Sequence, residues 1–142
     1  MSEQPKILCI DDDTHTSDWI KIMLRGSHVD CIIQSVRTGR EAFGRLKSEP
    51  YDLCIMEYAL PDMTGVQLST LLRQTGCNVP IMFFTAMNRT IDRQKAEAAG
   101  ADEYLAKPDA LDIFSDAAAR LLRRRRPIYM TPTGSSDYAM AA

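Results

Sequence analysis

The sequence predicts an α/β domain: a parallel sheet of five strands with helices on both faces. Three observations carry this. Short apolar runs with little alternation, such as KILCI at 6–10, DLCIM at 52–56 and IMFFT at 81–85, read as strands covered on both faces. Between them lie segments whose apolar residues recur at helical spacing. Strand and helix patterns then alternate five times at intervals of about 20 to 25 residues, the βαβ rhythm of a parallel sheet.

Taken in order, the first strand is Lys6 to Ile10, and three aspartates, Asp11, Asp12 and Asp13, end it. Thr14 or Thr16 is expected to cap a helix carrying Trp19, Ile20, Met23 and Leu24, which Gly26 stops. Val29 to Val36 is β-branched and reads as the second strand. Thr38, with Glu41 three residues on, predicts a capping box opening a helix that buries Ala42, Phe43 and Leu46. The third strand is expected from Tyr51 to Met56. It stops at Glu57, and Pro61 and Gly65 punctuate the loop that follows. Val66, Leu68, Leu71 and Leu72 mark a third helix ending near Gly76. Pro80 opens the fourth strand, Ile81 to Thr85, and a weaker helix follows from Thr90 to Ala99, stopped by Gly100. Ala101 to Ala106 is the least apolar strand and is expected near an edge. After Lys107 and Pro108, Asp109 is expected to cap a last helix with Leu111, Phe114, Ala117, Ala118, Leu121 and Leu122 on one face. The domain is expected over residues 1–122, and residues 123–142 read as a basic helix end and a flexible tail.

With 142 residues the chain is one domain long, and 45% hydrophobic with 25% charged residues is ordinary for a soluble protein. No apolar run is long enough to span a membrane. Cys9, Cys31, Cys54 and Cys77 lack paired spacing, which favours buried reduced thiols and a cytoplasmic location. The net charge is −2, but the four arginines and one aspartate of 123–142 leave the first 122 residues with 13 basic against 18 acidic side chains. An acidic body does not suit nucleic acid. His15 and His28 lack ligand-spaced partners, and Trp19, Met23, Met56 and Met82 read as core. Arg123 to Arg126 reads as a solvated helix end.

In a parallel sheet all strands present their carboxyl ends at one edge. Asp11, Asp12, Glu57, Thr85 and Lys107 sit at or just after such ends and are expected to converge. Clustered carboxylates repel, and a divalent cation relieves this; hard oxygen ligands suit Mg²⁺. A facing hydroxyl and ammonium suit phosphoryl oxygens. The constellation points to metal-assisted phosphoryl chemistry on a carboxylate.

The pieces ILCIDDD, DLCIMEYALPDMTG, PIMFFTA and GADEYLAKP, in this order and spacing, make the chain resemble the receiver domain of two-component response regulators over about residues 5–122. The resemblance implies a flavodoxin-like, doubly wound sheet of order 2-1-3-4-5 in three layers. It implies that Asp11 and Asp12, with Glu57 and the carbonyl of Ala59, stand where the family holds Mg²⁺. Thr85 and Lys107 would meet the phosphoryl group, Tyr104 would be the aromatic that moves with Thr85, and Lys107–Pro108 would be a cis peptide. It further implies a signalling rather than an enzymatic role. The partners would be a histidine kinase or phosphotransfer protein upstream, and a downstream protein or a second copy on the face of the fourth helix, fifth strand and fifth helix.

The departure is at the acceptor. The family has an aspartate at the end of the third strand, and this chain has Glu57. One added methylene pushes the carboxylate into the space of a phosphoryl group. Displacing a reacting atom by about 1 Å costs on the order of a hundredfold in in-line transfer. The expectation is a pseudo-receiver or Asp-to-Glu variant: a phosphorelay module acting through protein contacts, with Glu57 a partial phosphomimic, since one carboxylate carries less charge than a phosphoryl group. The competing enzyme reading is a haloacid-dehalogenase-type phosphatase using Asp11, Asp13, Thr85 and Lys107, but His15 stands where that family has Thr or Val. A flavin carrier is disfavoured because three aspartates would repel its phosphate.

Overall fold

A computed structural model of the chain describes residues 4–108 and 111–124. Five strands and five helices alternate: β1 Lys6–Ile10, α1 Thr14–Gly26, β2 Ile32–Val36, α2 Gly39–Ser48, β3 Leu53–Met56, α3 Gly65–Gln74, β4 Ile81–Thr85, α4 Thr90–Ala98, β5 Glu103–Ala106 and α5 Leu111–Arg123. All pairings are parallel, in the order β2-β1-β3-β4-β5, with Ile10 opposite both Val36 and Met56 and Thr85 opposite Ala106. The flavodoxin-like three-layer fold is therefore present, with β5 at an edge as expected.

Alternation along each strand sends side chains to two cores. Ile7, Cys9, Ile55, Met82 and Phe84 pack under α1 and α5, with Ile20, Leu24, Phe114 and Ala118. Leu8, Ile10, Cys54, Met56 and Phe83 pack on the other side under α2, α3 and α4, with Ala42, Leu68, Leu72 and Ala96. Trp19 belongs to the first core, stacked on Phe84 at 5.2 Å and edge-on to Phe114 at 5.1 Å. Cys9 and Cys54 are buried free thiols; Cys31 and Cys77 are half-buried and also free. Among the described residues no helix is long and apolar enough to cross a membrane.

Several boundaries differ from expectation. Asp13, not Thr14 or Thr16, caps α1, accepting from the His15 amide. β2, β3 and β5 start later than Val29, Tyr51 and Ala101. Those leading residues are apolar because Val29 and Cys31 pack on the first core and Tyr51 and Ala101 on the second, outside the strand ladders. Thr38 caps α2 by accepting from the Glu41 amide, but Glu41 returns to the Arg37 amide, so the box is not reciprocal. The closed capping box is at α3, between Thr64 and Gln67. α5 continues through Arg123, and Arg124 reaches Asp102 at 3.4 Å. The expected cap Asp109 and the tail beyond residue 124 lie outside the described residues.

Candidate functional site at the carboxyl edge of the sheet

β1, β3, β4 and β5 deliver the expected residues to one edge. The carboxylate of Glu57, directly after β3, is mostly enclosed, with 15% of its side chain exposed, against 5% for Asp11 and 26% for Lys107. Its Oε2 accepts the hydroxyl of Thr85, the amide of Tyr58 at 2.7 Å and, at 3.5 Å, the amide of Ala59. Its Oε1 faces the Lys107 ammonium at 3.4 Å. Lys107 also donates to Asp11 Oδ2 at 3.2 Å, while Asp11 Oδ1 accepts the Asp13 amide at 2.9 Å. Burial disfavours the Lys107 charge, but Asp11 and Glu57 outweigh it and leave its pKa raised. Two backbone amides, a hydroxyl and an ammonium thus converge on one carboxylate. This is an anion cradle of charge-assisted hydrogen bonds.

Gly65 lets the loop after β3 close over this edge. A Cβ there would lie 2.7 Å from both the Glu57 carbonyl and the Phe83 ring. The Gly65 amide donates to the Tyr58 carbonyl, and Leu60 bonds Met63, which shapes the turn carrying Ala59.

Thr85 has no exposed surface and points inward, and its oxygen also accepts the Met87 amide at 3.2 Å. Tyr104 is 3% exposed. Its ring stacks on Phe83 at 5.6 Å, its hydroxyl donates to the Met87 carbonyl at 2.6 Å, and the Arg93 guanidinium lies 5.1 Å from the ring centroid. Burial, with Asp92 nearby, pushes the Tyr104 phenol up to about 12, so it stays a donor. Met87 therefore joins Thr85 to Tyr104 through one peptide segment: its amide serves the first and its carbonyl the second.

Asp11, Glu57, Thr85 and Lys107 meet at this edge, and Tyr104 joins them through Met87. Lys107–Pro108 is cis. Of the residues expected at a Mg²⁺ site, Asp11, Asp12, Glu57 and Ala59, the carboxylates of Asp11 and Glu57 both engage Lys107. Among the described residues no three carboxylates, imidazoles or thiols lie together in a way that could hold a cation. Glu57 Oε2 is turned to donors, and the carboxylates of Asp11 and Glu57 share Lys107. Asp13, the second acid of the phosphatase reading, is a largely exposed helix cap beside His15.

Residues 7–118 match the response regulator receiver domain family. The chain belongs to that family. This receiver domain is similar to the transcriptional regulatory protein TctD of Salmonella typhimurium, at 33% identity over 122 residues, covering 84% of this chain and 52% of that protein. It is likewise similar to the response regulator MprA of Mycolicibacterium vanbaalenii, at 32% identity, covering 86% and 52%. The chain spans about half the length of the curated relatives it matches. Among solved structures, a two-component response regulator from Clostridium difficile superposes with a TM-score of 0.75 at 32% identity, over 85% of this chain and 98% of that one. The receiver domain of a Francisella response regulator gives 0.76 at 26%, over 84% and 98%.

Three contributors to the site had no signal in the sequence. Asp62 accepts the amides of Gly39 at 2.8 Å and Arg40 at 2.9 Å, pinning the loop after β3 to the first turn of α2. Those amides hold the Asp62 carboxyl below the usual range. Arg89 grips the buried Asp92 with Nε at 3.0 Å and Nη2 at 2.9 Å, bracing the first turn of α4. Arg93, one residue on, covers Tyr104. A Pro-Asp pair in a loop hints at a turn, but not at an amide partner more than twenty residues earlier.

Proposed function

We propose that this receiver domain is a phosphorelay signalling module whose switch is held by Glu57 instead of by a phosphoryl group. The observation that carries the reading is the bonding of Glu57: its carboxylate takes the Thr85 hydroxyl, the Tyr58 amide and Lys107 at once. Those donors face the space a phosphoryl group on a shorter side chain would fill. Held inward by Glu57, Thr85 keeps Met87 in place, and Met87 keeps Tyr104 buried. Mimicry is partial, because one carboxylate offers two oxygens and a single charge.

In this reading the module works in the cytoplasm through protein contacts. Its output passes to a downstream protein or a second copy across α4, β5 and α5, and a histidine kinase or phosphotransfer protein is the upstream partner. Its relatives' names make transcriptional control one output for a longer protein carrying such a domain. Treating the domain and its Glu57→Asp variant with Mg²⁺ and a small phosphoryl donor tests the reading by intact mass. The expected result is phosphorylation of the Asp variant alone. Rapid stoichiometric phosphorylation of the unaltered domain would overturn it.

A further inference from the structure

The ammonium of Lys107 lies between Asp11 Oδ2 at 3.2 Å and Glu57 Oε1 at 3.4 Å, bridging two carboxylates that would otherwise repel. We infer that Lys107 serves as the internal cation of this site, so that the domain holds its arrangement without a divalent ion. This rests on the reading of Glu57 given above, but concerns the cation and not the phosphoryl group.

A hard divalent cation needs several oxygens aimed at one point. Here the oxygens of Asp11 and Glu57 face other partners. Asp11 Oδ1 accepts the Asp13 amide, and Oδ2 accepts Lys107. Glu57 Oε2 accepts the Thr85 hydroxyl and the Tyr58 amide, and Oε1 accepts Lys107. To seat a cation, the site must give up the Lys107 pair or the Glu57–Thr85 bond. It must also place a divalent charge beside an ammonium. Opposition from that charge is strong because the group is half-buried. The longer side chain at position 57 is the cause: its added methylene carries the carboxylate across to Lys107 and Thr85. The ammonium has a further partner, since Nζ sits 5.1 Å over the Phe84 ring.

The test is thermal unfolding with MgCl₂ against NaCl at matched ionic strength, which removes general screening. Emission of Trp19, stacked on the same Phe84, is read in parallel. Three proteins are compared: the unaltered domain, Glu57→Asp and Lys107→Met. A site of about millimolar affinity at about 10 mM Mg²⁺ raises the melting temperature by roughly 3 °C or more, whereas no site leaves it within about 1 °C. The unaltered domain is expected to show no Mg²⁺-specific shift and unchanged Trp19 emission. Both variants are expected to gain the shift, the first because its carboxylate withdraws from Lys107, the second because two carboxylates are left unbridged. If Lys107→Met does not fold, Glu57→Asp decides. Equal Mg²⁺ stabilisation of the unaltered domain and Glu57→Asp overturns the inference, as does the absence of a gain in both variants. Equal Mg²⁺ stabilisation overturns the inference while leaving phosphorylation of the Asp variant alone still expected, and phosphorylation of the unaltered domain overturns the reading of Glu57 whatever the melting temperatures show, so the two proposals fail separately.

Discussion

The two edges of the sheet both carry carboxylates and cations, yet they use them differently. At the amino edge, charged groups tie off backbone. Arg73 donates to the carbonyls of Cys77, Val79 and Gly100 and to Asp102. Asp102 in turn accepts the Ile81 amide at 2.9 Å, and Asp52 accepts the Lys6 amide at 2.8 Å. Gly100, at φ 106°, leaves room for the Arg73 stem, which a Cβ would meet at 2.7 Å. At the carboxyl edge charged groups also face one another. Asp11, Glu57 and Lys107 form a chain in which each partner is a movable side chain. Backbone partners make the first edge a fixed foundation. At the second edge, beside the amides that Asp11 and Glu57 accept, an ammonium links the carboxylates of two strand ends.

That contrast predicts different failures on mutation, and the largest belongs to the amino edge. Arg73→Ala leaves several half-buried carbonyls without a donor and is expected to cost about 2–4 kcal/mol in urea unfolding. The packing of Tyr104 should be unchanged once the variant is folded. A loss under about 0.5 kcal/mol would remove the distinction between the two edges.

Thr85→Ala removes a hydrogen bond to a charged group and the acceptor of the Met87 amide, so a loss of about 1.5–3 kcal/mol is expected. Here the diagnostic result is structural: Tyr104 ring resonances should broaden or shift as Met87 is released. Unshifted resonances would show that Met87 does not transmit between the two side chains.

pH gives a third handle, through Lys107. Its folded pKa is raised above the ordinary 10.5, so its contribution is fully present below that value. It is lost as pH rises through the higher folded value. The stability difference between the unaltered domain and Lys107→Met should therefore be level at neutral pH and shrink in the alkaline range above about 10.5. Urea titrations of both proteins across that range check it, and the subtraction removes the tyrosines common to both. A difference that widens with rising pH would contradict the assignment.

The smallest effect is expected at Arg93. Arg93→Ala removes a cation from the face of Tyr104 and should cost about 0.5–1 kcal/mol. Hydrogen exchange at the Met87 amide should quicken. Unchanged exchange would mean that Met87 alone retains the ring.

Much of this was legible in the sequence where a residue's type and its place at a strand end coincide. The unbroken apolar runs at β1 and β4 gave their limits directly, because buried strands tolerate little else. β2, β3 and β5 were read too long, since Val29, Tyr51 and Ala101 are apolar for packing and not for pairing. Asp11, Glu57, Thr85 and Lys107 were found because parallel strands force their carboxyl ends to one edge. What escaped was contact between distant backbone and side chain: Asp62 on α2 amides, Met87 between Thr85 and Tyr104, and the four-partner grip of Arg73. Such bonds have no periodicity, and any loop carboxylate or helix arginine looks the same before folding. The Mg²⁺ ligands are a different lesson. Residue types suggest a cation, while the pairing of one ammonium with both Asp11 and Glu57 is visible only in the fold.

In the proposed reading Glu57, without a phosphoryl group, keeps Thr85 and, through Met87, Tyr104 inward. Solution NMR of the Thr85 methyl and the Tyr104 ring tests it most directly, in the unaltered domain and in Glu57→Asp with and without beryllofluoride and Mg²⁺. The account predicts that the untreated, unaltered domain matches the beryllofluoride-treated Asp variant and differs from the untreated one. Coincidence of the unaltered domain with the untreated Asp variant would contradict it.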